Sequence, residues 1–292
     1  MRNKYLVATL MCLVTLLQQF EVIAQNKPLF SVPFTLVDNR PFIEVKLNGH
    51  SFHFILDCGA DYGMDTETAK TLGLKLDHEG TQTGAGANEA KIWHASVATT
   101  VIGATEKKNI NFLVTDVSEI KNNLHLPYLD GFIGYTFMKD YAVQFDYPKG
   151  LINFYDSYAG PSPVSFSLYY GSIPRVDAKI DGHDASVIMD TGDRTAFTLF
   201  SHFAAKTGII KNYALTDTMI TGYGLGGPIY ARRLTLKQIQ IGKTIVNDIP
   251  TRIPTLKTGA FADTNIDGSI GGGILKQYKF TIDYKKKVLY FE

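Results

Sequence analysis

Hydrophobic and polar positions alternate with period two through much of the chain, the pattern of strands buried on one face. Phe42-Ile43-Glu44-Val45-Lys46-Leu47 contains such an alternation, Asn48-Gly49 supplies a hairpin turn, and Phe52-His53-Phe54-Ile55-Leu56 alternates again. The second half repeats this, with Asp181-Gly182 as the turn and Val187 to Met189 as the apolar run that closes the next strand. Two stretches break the period and predict short helices, Thr66 to Leu72 ended by Gly73 and Phe200 to Thr207 ended by Gly208. A glycine-rich segment follows each helix, Gly84-Ala85-Gly86 and Gly222-Tyr223-Gly224-Leu225-Gly226-Gly227, and both read as hairpin tips of an all-β fold.

The matching order of elements extends to the letters of the sequence. Asp57-Cys58-Gly59 and Asp190-Thr191-Gly192 stand 133 residues apart, and Asn48-Gly49-His50 with Asp181-Gly182-His183, and Pro41 with Pro174, keep that offset. Further on, Asp130-Gly131-Phe132-Ile133-Gly134 matches Asp267-Gly268-Ser269-Ile270-Gly271, and Phe145-Asp146-Tyr147 matches Ile282-Asp283-Tyr284, now at 137. So many matches in order imply an internal duplication. The boundary is expected where Gly160, Pro161, Ser162 and Pro163 cluster, giving a first lobe over 28–157, a linker over 158–163 and a second lobe over 164–292.

Composition adds bounds. The 292 residues are 45% hydrophobic and 20% charged, ordinary globular material, and 29 basic residues nearly balance 28 acidic ones. No basic stripe interleaves with aromatics, and Lys285-Lys286-Lys287 reads as a turn before an apolar strand, so nucleic acid is not an expected partner. At the N-terminus Arg2 and Lys4 precede an apolar stretch from Tyr5 to Leu17 and then Val22-Ile23-Ala24, the pattern of a secretory signal peptide over 1–24. Export to the periplasm or the extracellular space is therefore expected, with a retained, uncleaved anchor as the alternative. Cys12, preceded by Met11 deep inside the apolar region, does not suit lipid modification, and no later segment approaches the roughly 18 apolar residues of a membrane span.

The candidate chemistry lies in the paired tripeptides. A carboxylate closing an apolar run and followed by a small residue and a glycine holds an acid on a tight turn, and two such turns could face one another across a twofold axis. Cys58, the one cysteine left after the leader, could be a nucleophile given a histidine base, but none of the seven histidines sits in a partner motif. Because Thr191 takes its place in the repeat, a small packing residue is the favoured reading. Gly222, Gly224 and Gly227 formally satisfy a dinucleotide pattern, yet an extended stretch follows them where that pattern needs a helix.

Acid-x-Gly, a short helix ending in Leu72-Gly73-Leu74, a glycine hairpin and then Asp-Gly-x-Ile-Gly, in that order and twice, resembles the retropepsin-like aspartic proteases over essentially the whole chain after the leader. The resemblance implies an all-β protein of two tandem β-barrel lobes related by a pseudo-twofold axis, each with one short helix, acting as a secreted aspartic endopeptidase. It implies Asp57 and Asp190 as catalytic acids, Cys58, Gly59, Thr191 and Gly192 as their loops, and Phe132-Ile133-Gly134 and Ser269-Ile270-Gly271 as braces beneath them. Substrate contacts would come from the flaps, at Gly84, Gly86, Gly222 and Gly224, and from Asp61, which ends an Asp-Cys-Gly-Ala-Asp run like the retroviral Asp-Thr-Gly-Ala-Asp. Neither metal nor cofactor is expected, and a monomer with a peptide or protein substrate and no stable membrane association would suffice.

Departures from the family pattern carry their own expectations. A thiol at Cys58 is a weaker donor and acceptor than a hydroxyl and predicts a lopsided brace between the acid loops. Asp193 would raise the pKa of the acid pair unless Arg194 neutralises it. Ser269 stands where a large aliphatic residue is usual. An inactive, peptide-binding relative of the same fold is the alternative reading.

Overall fold

The computed structural model describes residues 27–292, so the expected leader lies outside the described residues. Strands β1 (Phe30–Val37), β2 (Arg40–Leu47) and β3 (His50–Leu56) open the first half. The β2–β3 hairpin turns at Asn48 (φ 49°) and Gly49 (φ 87°), left-handed positions that Asn and Gly occupy at least cost. β4 (Gly63–Asp65) leads into the expected helix, Thr66–Thr71, which stops before Gly73 at φ 62°. The long β5 (Asp77–Thr83), β6 (Glu89–Ile102) and β7 (Thr105–Thr115) follow, then β8 (Gly131–Ile133), β9 (Ala142–Asp146) and β10 (Leu151–Tyr155). Strands β2, β3, β8, β4, β7 and β6 close a ring, because β6 pairs back onto β2 at Leu47 and Thr100.

After β12 (Ser167–Tyr169), which pairs on the outer edge of β13, the second half builds the same ring from β13 (Ile173–Ile180), β14 (His183–Asp190), β15 (Phe197–Leu199), β17 (Gly227–Ile241), β18 (Thr244–Pro254) and β19 (Gly268–Gly271), in the order β13, β14, β19, β15, β18, β17 and back to β13. Asp181 (φ 47°) and Gly182 (φ 83°) make its hairpin turn. Its helix, Ser201–Thr207, ends at Gly208 with φ 66°, as the glycine signal implied. The fold is thus all-β in two tandem lobes. One-turn helices at Ser118–Asn123, Tyr135–Met138 and Gly272–Leu275 accompany the two expected ones. Inside each ring the alternating residues meet in one core, with Val45, Phe54 and Phe112 fully buried in the first lobe and Val187, Phe197 and Leu236 in the second.

A shared sheet joins the lobes. Its six strands run β11 (Val164–Ser165), β21 (Val288–Phe291), β20 (Lys279–Asp283), β9, β10 and β1. At its centre Phe145 stacks on Phe280 with ring centroids 4.8 Å apart, and Gln144 Nε2 donates to Thr281 Oγ1 across the seam at 3.2 Å. This sheet fixes the lobes so that the C-terminal ends of β3 and β14, which carry the acids, converge.

Candidate functional site

Each acid sits where a strand leaves its ring. Asp57 N donates to Ile133 O at 2.8 Å, continuing the parallel pairing of β3 with β8, and Asp190 lies opposite Gly271 in the parallel pairing of β14 with β19. The backbone then folds back. Tyr135 N reaches Ala60 O at 3.1 Å, and Gly272 N reaches Asp193 O at 2.6 Å. The glycines of the bracing stretches follow from this closeness: a Cβ at Gly134 would fall 2.1 Å from Ala60 O, and one at Gly271 2.4 Å from Thr195 O.

The loops bring the carboxyl groups of Asp57 and Asp190 within hydrogen-bonding reach of one another. Gly59 N donates to Asp57 Oδ1 at 2.7 Å, and Gly192 N and Asp193 N both donate to Asp190 Oδ1 at 3.0 Å. Each acid also leans over the other loop, so that a Cβ at Gly192 would lie 2.1 Å from Asp57 Oδ2 and one at Gly59 2.8 Å from Asp190 Oδ1. Desolvation raises the pKa of both acids. At Asp57 the rise is partly offset by the N–H of Gly59, by a hydrogen bond from Asp190 and by the N–H of Gly192. At Asp190 desolvation is reinforced by the negative charges of Asp57 and Asp193, and its pKa is held well above the carboxylate range. Burial and closeness oppose ionisation of both acids together, and the charge of Asp193 weighs further against that of Asp190.

Beneath the acids the two loops grip each other. Cys58 N donates to Thr191 Oγ1 at 2.9 Å, and Thr191 Oγ1 donates onward to Leu56 O at 2.8 Å. Thr191 N donates to Cys58 Sγ and Cys58 Sγ to Met189 O, each at 3.3 Å. The expected lopsided brace is thus asymmetric in length and atom type but complete in pattern. Burial, then the neighbouring Asp57 and Asp190, push the thiol pKa upward, which opposes formation of a thiolate nucleophile.

The structure replaces the expected counter-ion of Asp193. Arg252 Nη2 donates to Asp193 Oδ2 at 2.8 Å, whereas Arg194 turns away and meets Asp38 at 2.9 Å. Burial alone would raise the pKa of Asp193, but Arg252, the Thr195 N–H and hydroxyl groups, and Arg40 bring it below the usual value. Arg40 is a second residue the sequence reading missed. It follows the Asp38-Asn39 turn, is 5% exposed, and donates through Nε to Gly192 O at 2.8 Å while Nη1 meets Asp38 at 3.1 Å. Asn39 Nδ2 donates to Arg194 O at 2.7 Å, so this first-lobe turn clamps the second acid loop. The available signal for Arg252 was a lone cation inside the apolar run Ile249 to Pro254.

Asp61 lies at the cavity rim, but its carboxylate already accepts from Thr136 Oγ1 (2.7 Å), Thr136 N (3.2 Å) and Tyr62 N (2.9 Å). Ser269 is fully buried, and its hydroxyl has no hydrogen-bond partner among the described residues.

Two hairpins roof the acids. The first, β5 and β6, turns through Gly84 to Gly86, and the second, β16 (Met219–Gly224) and β17, turns at Leu225 and Gly226. Their tips meet: Gly86 N donates to Leu225 O and Asn88 N to Gly226 O, both at 2.9 Å, while Ala260 N donates to Gly84 O at 2.8 Å. A Cβ at Gly86 would fall 2.3 Å from Gly226 C, and one at Gly224 2.7 Å from Ala85 Cβ, so glycine is required for the tips to interlock. Gly222 sits lower, opposite Ile229 on the strand rather than in the turn. Gly227 opens strand β17 rather than a helix, so this segment lacks the setting of a dinucleotide site.

The space under the roof is a cavity of about 360 Å³ lined by Asp57, Asp190, Tyr223 and Leu225 among others. Ile55, Val117, Ile120, Leu126, Leu129 and Phe132 make its first-lobe wall apolar. Such a cleft can hold an extended chain over a proton-sharing acid pair.

Compared with known families, the chain matches the family model described as Aspartyl protease twice, over residues 43–137 and 176–273. No curated protein matches it.

Proposed function

The chain belongs to the aspartyl protease family, and from that premise we propose that it is an endopeptidase in which Asp57 and Asp190 together activate water. The ionised Asp57 takes a proton from a water held between the carboxyls, and the protonated Asp190 donates to the oxygen of the scissile carbonyl as the water attacks. The amide carbonyl becomes tetrahedral, and return of a proton to the departing nitrogen completes cleavage without a covalent enzyme intermediate. The observation that carries this reading is the mutual placement of the acids, each over the other loop's glycine beneath a closed roof.

The substrate is an extended peptide, held largely through its backbone between the acid loops and the two flaps, whose tips interlock above it at Gly84, Gly86 and Gly224 with Gly222 lower on the strand. Tyr223 and Leu225 favour apolar side chains beside the acids. Because one chain supplies both acids, a monomer is sufficient. We further propose export after cleavage of the leader at Ala24. Among the described residues no helix is long and apolar enough to cross a membrane.

The test is hydrolysis of a peptide library by the chain from residue 25 onward between pH 3 and 8. Asp57→Asn and Asp190→Asn are each expected to lower kcat/KM by roughly 10³-fold or more. Cleavage that survives both substitutions contradicts the mechanism. Tight peptide binding with no cleavage by the unaltered chain would make the protein a binding module.

A further inference from the structure

The two lobes set different chemistry at equivalent positions of the cleft wall. Strand register fixes the equivalence: Gly63 pairs with Leu113 and Phe132 in the first lobe as Thr198 pairs with Arg252 and Ser269 in the second. Ala60 and Asp193 are likewise each the third residue after their acid. An uncharged set of Ala60, Gly63, Leu113 and Phe132 thus becomes Asp193, Thr198, Arg252 and Ser269. A buried ion pair is costly to desolvate, and the first lobe demonstrates that an apolar wall suffices to build this fold.

The polar cluster is built to leave one donor edge free. Asp193 is saturated, with Oδ1 accepting from Thr195 N at 3.0 Å and Oδ2 from Thr198 Oγ1 at 3.3 Å and Arg252 Nη2 at 2.8 Å. Arg252 Nε is spent on Thr198 Oγ1 at 2.9 Å, and the Phe261 ring supports the guanidinium at 4.9 Å. Nη1 donates no hydrogen bond among the described residues and faces the flap, where a Cβ at Gly222 would come within 3.4 Å of it. Arg252 lines the cavity that holds the acids, and with Arg194 it also lines a neighbouring hollow of about 460 Å³, which Arg233 borders and no acidic residue lines. Over the cleft and the hollow together Arg40, Arg194, Arg233 and Arg252 are matched by Asp38, Asp61, Asp193 and the single negative charge of the acid pair, so the surplus of cations is confined to the hollow.

We propose that the second-lobe side of the cleft is a subsite for an acidic side chain, an aspartate or glutamate of the peptide, received by the free edge of Arg252. The substrate would then carry an apolar residue against Ile120, Leu113 and Phe132 and an acidic one against Arg252. This rests on the peptide-cleft reading above, but not on cleavage itself. Bidentate recognition suits a guanidinium whose plane is already fixed by Thr198, Asp193 and Phe261.

The test walks a single residue, Glu, Gln, Leu or Lys, through each position of an otherwise apolar fluorescent peptide. Binding is read on the Asp57→Asn chain and kcat/KM on the unaltered one. At one position Glu is expected to exceed Gln by about tenfold in both readings, the effect of one charged hydrogen-bonded contact. The double variant Asp193→Ala/Arg252→Leu, which writes the first-lobe residues into the second lobe, is expected to abolish that preference and favour Leu. Arg252→Lys keeps the charge without the fork and should reduce the Glu preference while the chain stays folded, which decides the matter if the double variant does not fold. A Glu preference absent at every position, or unchanged in these variants, overturns the subsite. Apolar peptides cut with no acidic preference would sink the subsite alone. Glu peptides bound through Arg252 but never cut would sink the endopeptidase reading alone.

Discussion

Behind Asp57 the chain continues into Ala60 and an apolar wall, whereas behind Asp190 it continues into Asp193, which is locked to Arg252. Around the acids themselves the lobes agree closely: each carboxylate accepts from the glycine of its own loop, each loop folds against a bracing glycine, and each middle residue bonds across to its counterpart. The contrast separates what the backbone demands from what it permits. The bracing positions where a Cβ would strike backbone, Gly131 and Gly134 in one lobe and Gly268 and Gly271 in the other, are glycine in both, while the wall a few ångströms away differs completely. The same asymmetry bears on the ionisation of the pair, because the charge of Asp193 acts on Asp190 and has no equivalent at Ala60 behind Asp57.

The largest effect that could break this comparison comes from the glycines. Gly192→Ala would place a Cβ 2.1 Å from Asp57 Oδ2, and Gly59→Ala would place one 2.8 Å from Asp190 Oδ1. Both should cut peptide hydrolysis on the order of 10²-fold or more, as expected for acids displaced by about 1 Å, with Gly192→Ala the more severe. Equal, mild effects in a kcat/KM comparison would mean that the acids are not packed as described.

The cross-lobe grip gives the next effect. Thr191→Val removes the acceptor of Cys58 N and the donor to Leu56 O, both buried, and should cost about 2–4 kcal/mol in denaturant unfolding. Cys58→Val removes only two contacts at 3.3 Å to sulfur and should cost about 1 kcal/mol. If Cys58→Val proves the more damaging, the brace is carried from the other side.

The two acids of the second lobe should also pull stability in opposite directions with pH. Asp190 has a raised pKa, so the folded chain holds a proton that the unfolded chain has released, and stability falls as pH rises from about 3.8 through the raised value. Asp193 has a lowered pKa, so its contribution is present above about 3.8 and is lost as pH falls through the lowered value. Asp190→Asn is expected to flatten the first limb by up to about 1.4 kcal/mol per pH unit while leaving the second, as followed by urea unfolding across pH. An unchanged profile would contradict the assignment. Smallest of all, Cys58→Thr should shorten the grip and shift stability by less than about 1 kcal/mol with activity kept.

Much of this was legible in the sequence for definite reasons. Period-two alternation and the Asn48-Gly49 and Asp181-Gly182 turns specify the hairpins that lead to the acids, and Gly73 and Gly208 stop the helices. The repeated acid loops and bracing glycines were readable because backbone crowding leaves no other residue type. What escaped were partners set by the third dimension. Arg194 adjoins Asp193 in sequence, but in the loop after β14 the two side chains diverge, so Arg194 reached Asp38 while Arg252, on β18 and three strands from β14 in the ring, reached Asp193. Arg40 was hidden in the same way, as its role depends on the first-lobe turn lying across the second acid loop. The six-stranded sheet between the lobes, too, leaves no mark in local pattern, since β9 and β20 are ordinary strands until they meet.

The central claim is that Asp57 and Asp190 behave as one coupled pair with the proton resting on Asp190. Carbon-13 NMR of aspartate-labelled protein, with the two carboxyl signals assigned through Asp57→Asn and Asp190→Asn, measures this directly. Two linked titration steps, with Asp57 ionising first and Asp190 well above the ordinary carboxylate range, are predicted. Independent titration of both near ordinary values, or Asp190 ionising first, would contradict it.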